Sequence, residues 1–171
     1  MAEHDTVIYT IGHSNHPFDK LAALLRKHSI QVLVDVRSRP HSRWVSWTNQ
    51  KNLETEIPKL GIEYRWAGDC LGGLPSDPNL QKRNPQRKKK TDPAIIADYD
   101  KIAKQQWFKD AINELLEVAS HKQTAIMCSE ENPQNCHRSQ LVGRTLVKKG
   151  VKVLNIRGNG IAEPQSAELK R

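Results

Sequence analysis

Short runs of β-branched and aliphatic residues alternate with longer segments whose apolar residues recur every three or four positions, and this alternation restricts the chain to folds in which strands and helices take turns. Residues 6–11, Thr-Val-Ile-Tyr-Thr-Ile, read as a strand that stops at Gly12, His13, Ser14 and Asn15. Residues 17–28 then put Phe18, Leu21, Leu24 and Leu25 on one helical face, with Pro17 suited to the first turn. Residues 31–36 read as a buried second strand, 51–60 as a short helix ending at Gly61, and 62–66 as a third strand-like segment. The pattern turns helical again over 94–121, broken near Gln105, where Trp107, Phe108, Ile112, Leu115, Leu116 and Ala119 make an apolar stripe. Residues 124–127 predict a fourth strand, 135–149 a helix ending at Gly150, and 151–156 a fifth strand.

Strands separated by helices predict right-handed crossovers and an α/β fold, a mainly parallel sheet of about five strands covered by helices on both faces. We expect one domain over residues 1–171, with a basic irregular insertion at about 71–93 and a short tail after Gly158 that has little to bury. At 171 residues such a domain buries roughly 70 % of the surface its unfolded chain exposes, so it needs no disulfide framework. Three cysteines, and a start at Met1-Ala2-Glu3-His4-Asp5 without a basic and apolar leader, point to reduced thiols and a cytoplasmic setting. The apolar runs are far too short to cross a bilayer, which excludes a membrane partner at this stage.

Ligands of open parallel sheets sit beyond the carboxyl ends of the strands. The polar clusters fall there: Gly12, His13 and Ser14 after strand one, Asp35 and Arg37 at the end of strand two, and Cys128 to Glu130 after strand four. The densest cluster is Cys128-Ser129-Glu130-Glu131-Asn132-Pro133-Gln134-Asn135-Cys136-His137-Arg138. With Asn135 as the helix cap, Cys136, His137 and Arg138 would occupy a first helical turn, where the dipole favours anions and depresses a thiol pKa. Cys136 is then a candidate nucleophile, Glu130 or Asp35 a candidate acid or base, and Arg138 a candidate anion grip; packing cysteines and a tethering arginine are the structural alternatives. Asp35 and Arg37 fall on the same side of an extended strand, either as an ion pair or as ligand-binding groups. His13 and Ser14 can form a phosphate nest or cap the following helix. Cys128, Cys136, His137 and His13 are all zinc-type ligands, but without a Cys-x-x-Cys pair they predict no metal, and nothing in the chain calls for a cofactor.

The net charge of +8 and the sequence pI near 9.5 favour a polyanionic partner. Lys82, Arg83, Arg87, Lys88, Lys89 and Lys90 concentrate that charge in one nucleic-acid-binding or simply solvated loop. Arg43 beside Trp44, with Trp47 close by, offers phosphate contact plus base stacking, and Tyr64 and the Leu71-Gly72-Gly73 turn are candidates for the wall of a cleft.

Thr10-Ile11-Gly12-His13-Ser14-Asn15, Leu33-Val34-Asp35-Val36-Arg37 with Pro40 and Ser42-Arg43, Gly61-Ile62-Glu63-Tyr64, Leu71-Gly72-Gly73, and Met127-Cys128-Ser129-Glu130 followed by Pro133 and Cys136-His137-Arg138 together resemble the prokaryotic family called domain of unknown function 488. The blocks keep their order over roughly residues 6–156. The resemblance implies an α/β fold and marks these residues as site candidates, but it supplies no reaction. Cys70 and the basic stretch 82–90 depart from the family pattern and inherit no role from it. Three functions stay open: an enzyme acting on a nucleotide or nucleic acid, a non-catalytic nucleic-acid-binding module, and a cysteine-based sulfur-transfer or redox protein. Against the last, the phosphatase-like or rhodanese-like loop with Cys five residues before Arg is missing.

Overall fold

A computed structural model describes residues 6–166; the leader expectation at Met1 to Asp5 and the last five residues of the tail lie outside the described residues. The α/β expectation holds, with one strand more than expected in the main sheet. Strands β1 (Val7–Gly12), β2 (Val32–Asp35), β3 (Glu63–Trp66), β6 (Thr124–Cys128) and β7 (Lys152–Ile156) run parallel, and β8 (Ala162–Pro164) adds an antiparallel edge in the order β3-β2-β6-β1-β7-β8. Every residue of β2 and β6 is buried, as expected of central strands covered on both sides.

Alternation along these strands builds two cores. Val32, Val34 and Ile126 point to the face covered by α5 (Gln106–His121) and α6 (Arg144–Lys148), where Phe108, Ile112, Leu115 and Leu146 pack. Leu33, Ala125 and Met127 point to the opposite face, against Leu21 and Leu25 of α1 (Phe18–Lys27) and Leu53 and Ile57 of α2 (Gln50–Lys59). Asp19 in the first turn of α1 and Arg26 and Lys27 in its last complement the helix dipole.

Two segments differ from their sequence reading. Within the stretch read as irregular, after α3 (Gly68–Leu71), β4 (Gln81–Arg83) pairs antiparallel with β5 (Ile95–Ala97), so a hairpin carries the basic run. The apolar signal that marks a strand is absent from Gln-Lys-Arg; buried Leu80 and Ile102 anchor the hairpin base instead, and Ile102 lies in α4 (Tyr99–Ile102). The tail also pairs: Gly160, at a φ of 84° that suits glycine, lets the chain turn back and lay β8 along β7.

Helices α1 and α2 follow β1 and β2 on one face, whereas the chain leaving β6 passes to α6 on the other. The strand ends are level, Asp35 opposite Met127 and Gly12 opposite Cys128. Neighbouring loops diverging from level strand ends open a crevice.

The stripe on α5 has a buried and an exposed member: Phe108 is fully buried, whereas Trp107 is 41 % exposed. Phe108→Ala should lower the unfolding free energy by about 3–5 kcal/mol. Trp107→Ala should cost less than half as much, with urea unfolding as the measurement for both.

Candidate functional site

Where β6 ends, the loop 129–135 is fastened from three directions. His13 and Ser14 donate their backbone N–H groups to the carbonyls of Cys128 (3.0 Å) and Ser129 (2.8 Å), extending the parallel pairing beyond the sheet. Gly12 permits this approach, since a Cβ there would stand 1.8 Å from the Glu130 carbonyl oxygen. On the β7 side, the Glu131 carboxylate accepts from Arg157 Nε (3.0 Å) and Nη2 (3.1 Å) and from the Gly158 N–H, which holds its pKa down at about 2.

The third fastening is Arg138. Its guanidinium is fully buried and donates from Nε to Thr10 Oγ1 (3.0 Å), from Nη1 to Cys128 Sγ (2.9 Å) and to the Glu130 carbonyl, and from Nη2 to the Glu131 carbonyl (3.0 Å). Thr10 in turn donates to Asn155 Oδ1 of β7. Burial brings the Arg138 pKa down to about 10, still cationic at neutral pH.

The expected cap at Asn135 is corrected. Asn132 caps a single 3-10 turn, Pro133–Asn135, by accepting from the Gln134 N–H, because Pro133 suits the first position of a turn and fixes the cap just before it. Cys136 is extended (φ −134°, ψ 145°), and the following helix opens as a π-helix, Arg138–Gly143, before α6. Cys136 therefore stands just before the helix and not in its first turn; its carbonyl accepts from the Ser139 (3.1 Å) and Gln140 (3.0 Å) N–H groups. Cys128 and Cys136 are also brought together, their sulfurs in direct contact and their Cα atoms 7.5 Å apart. The Arg138 backbone N–H points at Cys136 Sγ (3.4 Å), so one residue contacts both sulfurs.

His137 donates from Nε2 to the Val36 carbonyl (2.8 Å), which leaves the Nδ1 lone pair facing Cys136 Sγ at 3.9 Å. Burial lowers its pKa, so the ring is neutral. Its ring lies against Gly73, where a Cβ would be 2.7 Å from His137 Cγ; that contact gives the glycine of the Leu71-Gly72-Gly73 turn its role in the wall.

A second buried cluster forms at the end of β2. Asp35, with no exposure, accepts from Arg37 N (3.1 Å), Nε (2.9 Å) and Nη2 (2.6 Å), and from the Tyr64 hydroxyl (2.6 Å). Arg37 also donates to the Thr48 carbonyl and, from Nη1, to His13 Nε2 (3.1 Å). Since arginine only donates, His13 is the tautomer whose Nδ1–H donates to the Ser14 carbonyl (2.7 Å). Burial drives the His13 pKa down to about 4, and burial next to Asp35 raises that of Tyr64.

Between the clusters lies a pocket of about 280 Å³. Cys128, Cys136 and His137 line it together with Ser129, Glu130 and Asn135 from the β6 loop, Arg37, Ser38 and Arg39 from the β2 end, Gly73 and Leu74, and Tyr99 of α4. Of the residues singled out by sequence, it thus gathers Arg37, Gly73, Cys128, Ser129, Glu130, Cys136 and His137. Asp35, Gly12, His13, Ser14, Tyr64 and Arg138 stand behind these and are absent from the lining, and Arg43 is exposed on its loop beside Trp44, which is 94 % exposed. Trp47 instead packs edge-on against His13 and Phe18. Lys82, Arg83, Arg87, Lys88, Lys89 and Lys90 are all exposed on the β4–β5 hairpin.

Sequence reading missed Ser38, Arg39, Leu74 and Tyr99. Ser38 and Arg39 come right after the chosen Arg37, and Leu74 after the Leu71-Gly72-Gly73 turn, but Tyr99 comes from a distant segment and carried no motif. Cys70 lies elsewhere, its thiol donating to Asp69 and its pKa pushed up to about 11, chiefly by burial. Among the described residues no group of three His, Cys, Asp or Glu side chains is arranged to hold a metal, and no helix is long and apolar enough to cross a membrane.

The family described as Domain of unknown function DUF488 matches residues 17–145. The chain belongs to the DUF488 family. The matched span carries the β2 cluster, the cysteine pair, His137 and Arg138, whereas the Thr10 to Asn15 block precedes it. No curated protein and no solved structure matches the chain.

A histidine held neutral in the fold lets the unfolded chain bind more protons in acid, so stability is full above the unfolded value of 6.5 and falls as pH drops toward about 4. For His13 the loss is about 3 kcal/mol, and His137 adds in the same direction. His13→Gln, which retains an acceptor for Arg37 without a titrating ring, should flatten urea midpoints over this window.

Proposed function

We propose that this DUF488 protein is a cysteine-dependent enzyme that takes a phosphate-bearing substrate, a nucleotide or a nucleic acid, at the strand-end pocket. The observation that carries the reading is the Cys128–Cys136 pair in the pocket lining, between the Arg138 guanidinium and the free Nδ1 of His137. A cation bonded to one sulfur and a neutral base facing the other are what thiol chemistry at neutral pH requires.

In the reduced state, His137 Nδ1 takes the proton of the Cys136 thiol, and the resulting thiolate displaces a leaving group from an electrophilic centre of the substrate: the bond to the leaving group breaks as the sulfur–substrate bond forms, and water then cleaves that bond, releasing the product and restoring the thiol. Cys128, whose sulfur accepts from Arg138 Nη1, stands beside the reacting sulfur. Arg39 at the rim supplies a cation for phosphate, and Glu130, exposed in the lining, is the carboxylate placed for proton transfer to a leaving group. Asp35, Arg37, His13 and Tyr64 act as positioning residues, since their polar atoms engage one another.

A binding module without catalysis is the second reading, and the exposed cations of the hairpin and the exposed Trp44 favour it. Turnover separates the two. Nucleotides and short oligonucleotides incubated with dithiothreitol-reduced protein should give a changed product by mass spectrometry. The rate should fall by at least about a hundredfold in Cys136→Ser and in His137→Gln. Equal turnover in wild type and Cys136→Ser would overturn the cysteine mechanism, and tight binding of unchanged oligonucleotide by both would establish the module.

A further inference from the structure

Outside the pocket, α4 and α6 border a groove of about 490 Å³ that the strand-end chemistry does not use. Lys104, Arg144, Lys148 and Lys149 line it, with Asp100 and Thr145 as the remaining polar residues. Lys104, Lys148 and Lys149 are exposed, and Arg144 is tied to Asp100 at 2.5 Å. Four cations facing one carboxylate leave the groove strongly positive.

The hairpin joins this groove. Lys82 of β4 reaches Asp98, the residue before α4, at 3.8 Å, and Lys101 of α4 donates to the Asn79 carbonyl at the hairpin base. The Asp100 carboxyl is held below its usual pKa first by Arg144, with Lys82 and Lys148 adding to the effect, so cations from hairpin and groove surround the same point. At the hairpin tip, Asp92 accepts from the Lys88 and Lys89 backbone N–H groups (both 2.9 Å), and the Arg87 guanidinium donates to the Lys89 and Lys90 carbonyls. Those contacts curl the tip into a fixed turn and leave the three lysine ammonium groups in solvent. Tyr99 in the pocket lining and Asp100 in the groove are adjacent residues of α4, so the basic track ends at the pocket wall.

We infer that the α4–α6 groove and the β4–β5 hairpin form one binding track for a nucleic-acid strand, whose phosphates follow Lys148, Lys149, Arg144 and Lys104 toward the pocket and are held from the side by Lys82 and the hairpin tip. A concave row of cations fits a chain of phosphates, whereas an anionic membrane calls for a convex or planar basic face. The track deepens the reading of a phosphate-bearing substrate, because it selects a polymer over a free nucleotide, but it requires no catalysis.

The test is fluorescence anisotropy of the full chain with labelled single-stranded DNA and RNA of about twenty nucleotides, over a series of salt concentrations. Lys104→Glu/Lys148→Glu/Lys149→Glu should weaken binding by about tenfold or more and flatten the log affinity against log salt slope by about two. Replacing Arg87, Lys88, Lys89 and Lys90 by Ser should flatten it by up to about three. The control Lys20→Glu/Lys51→Glu/Lys59→Glu, on α1 and α2 at the opposite face, should bind more tightly than the groove variant; an equal loss in both would reduce the effect to net charge and overturn the track. Wild-type affinity in the groove variant would also overturn it, as would binding to phosphatidylserine vesicles in place of oligonucleotide. Cys136→Ser should bind the oligonucleotide like wild type, so loss of turnover and loss of the track are read separately. Circular dichroism of each variant confirms that the helices remain.

Discussion

The fully buried guanidinium of Arg138 is the contact on which the strand-end architecture depends. Burying an arginine charge costs several kcal/mol unless its donors are met, and here they meet a hydroxyl, a sulfur and two carbonyls. None of its direct partners is a carboxylate. The balancing negative charge is the Glu131 carboxylate, held in place by Arg157. Through these contacts one side chain ties β1, the end of β6 and the loop beyond it to the start of the next helix, and so fixes where Cys128 stands. Truncating Arg138 would leave two buried carbonyls and a threonine hydroxyl short of a donor, so its loss is structural before it is chemical.

The β2 end solves a similar problem by a different route. Asp35 and Arg37 form an ion pair with essentially no exposure, and Tyr64, Thr48 and His13 take up the remaining donors and acceptors. The pair is satisfied inside the protein, so Asp35 has no lone pair directed to the pocket lining, and only Arg37 borders the cavity. The same economy explains the neutral histidines. Each donates one ring N–H to a backbone carbonyl and keeps the other nitrogen for an arginine or a sulfur, and protonation would turn a second N–H against that neighbour.

Strand and helix periodicities fixed the parallel sheet at the sequence level because the central strands are short, β-branched and buried on both faces. The rule that ligands sit beyond the carboxyl ends then led to Cys128, Glu130, Cys136 and His137, which do share one lining. What escaped the sequence had little local signal. Gln81-Lys82-Arg83 pairs with Ile95-Ile96-Ala97 although the first strand has no apolar residue, since its anchors, Leu80 and Ile102, lie outside the paired segment. The cap expected at Asn135 was not the helix start, because Asn132 and Asn135 both suit a cap: Asn132 caps the turn made at Pro133, and the helix begins only at Arg138. Residue type likewise did not reveal that Arg138 would face inward; the acceptors that hold it come from β1 and from backbone carbonyls, which no motif records.

The arrangement separates two tasks that a single histidine or arginine would have to combine. Fixed positive charge comes from arginines: Arg138 remains cationic well above neutral pH, and its Nη1 donates to the Cys128 sulfur. Proton capacity comes from His137, whose depressed pKa keeps Nδ1 unprotonated next to Cys136. Dividing the tasks across Arg138 and His137, adjacent in sequence and turned to different sulfurs, lets a positive field and a free base exist together at one strand end. It also accounts for the extended Cys136 just before them: a helical start would rotate Cys136 and His137 about 100° apart, whereas the extended residue brings its sulfur to both neighbours.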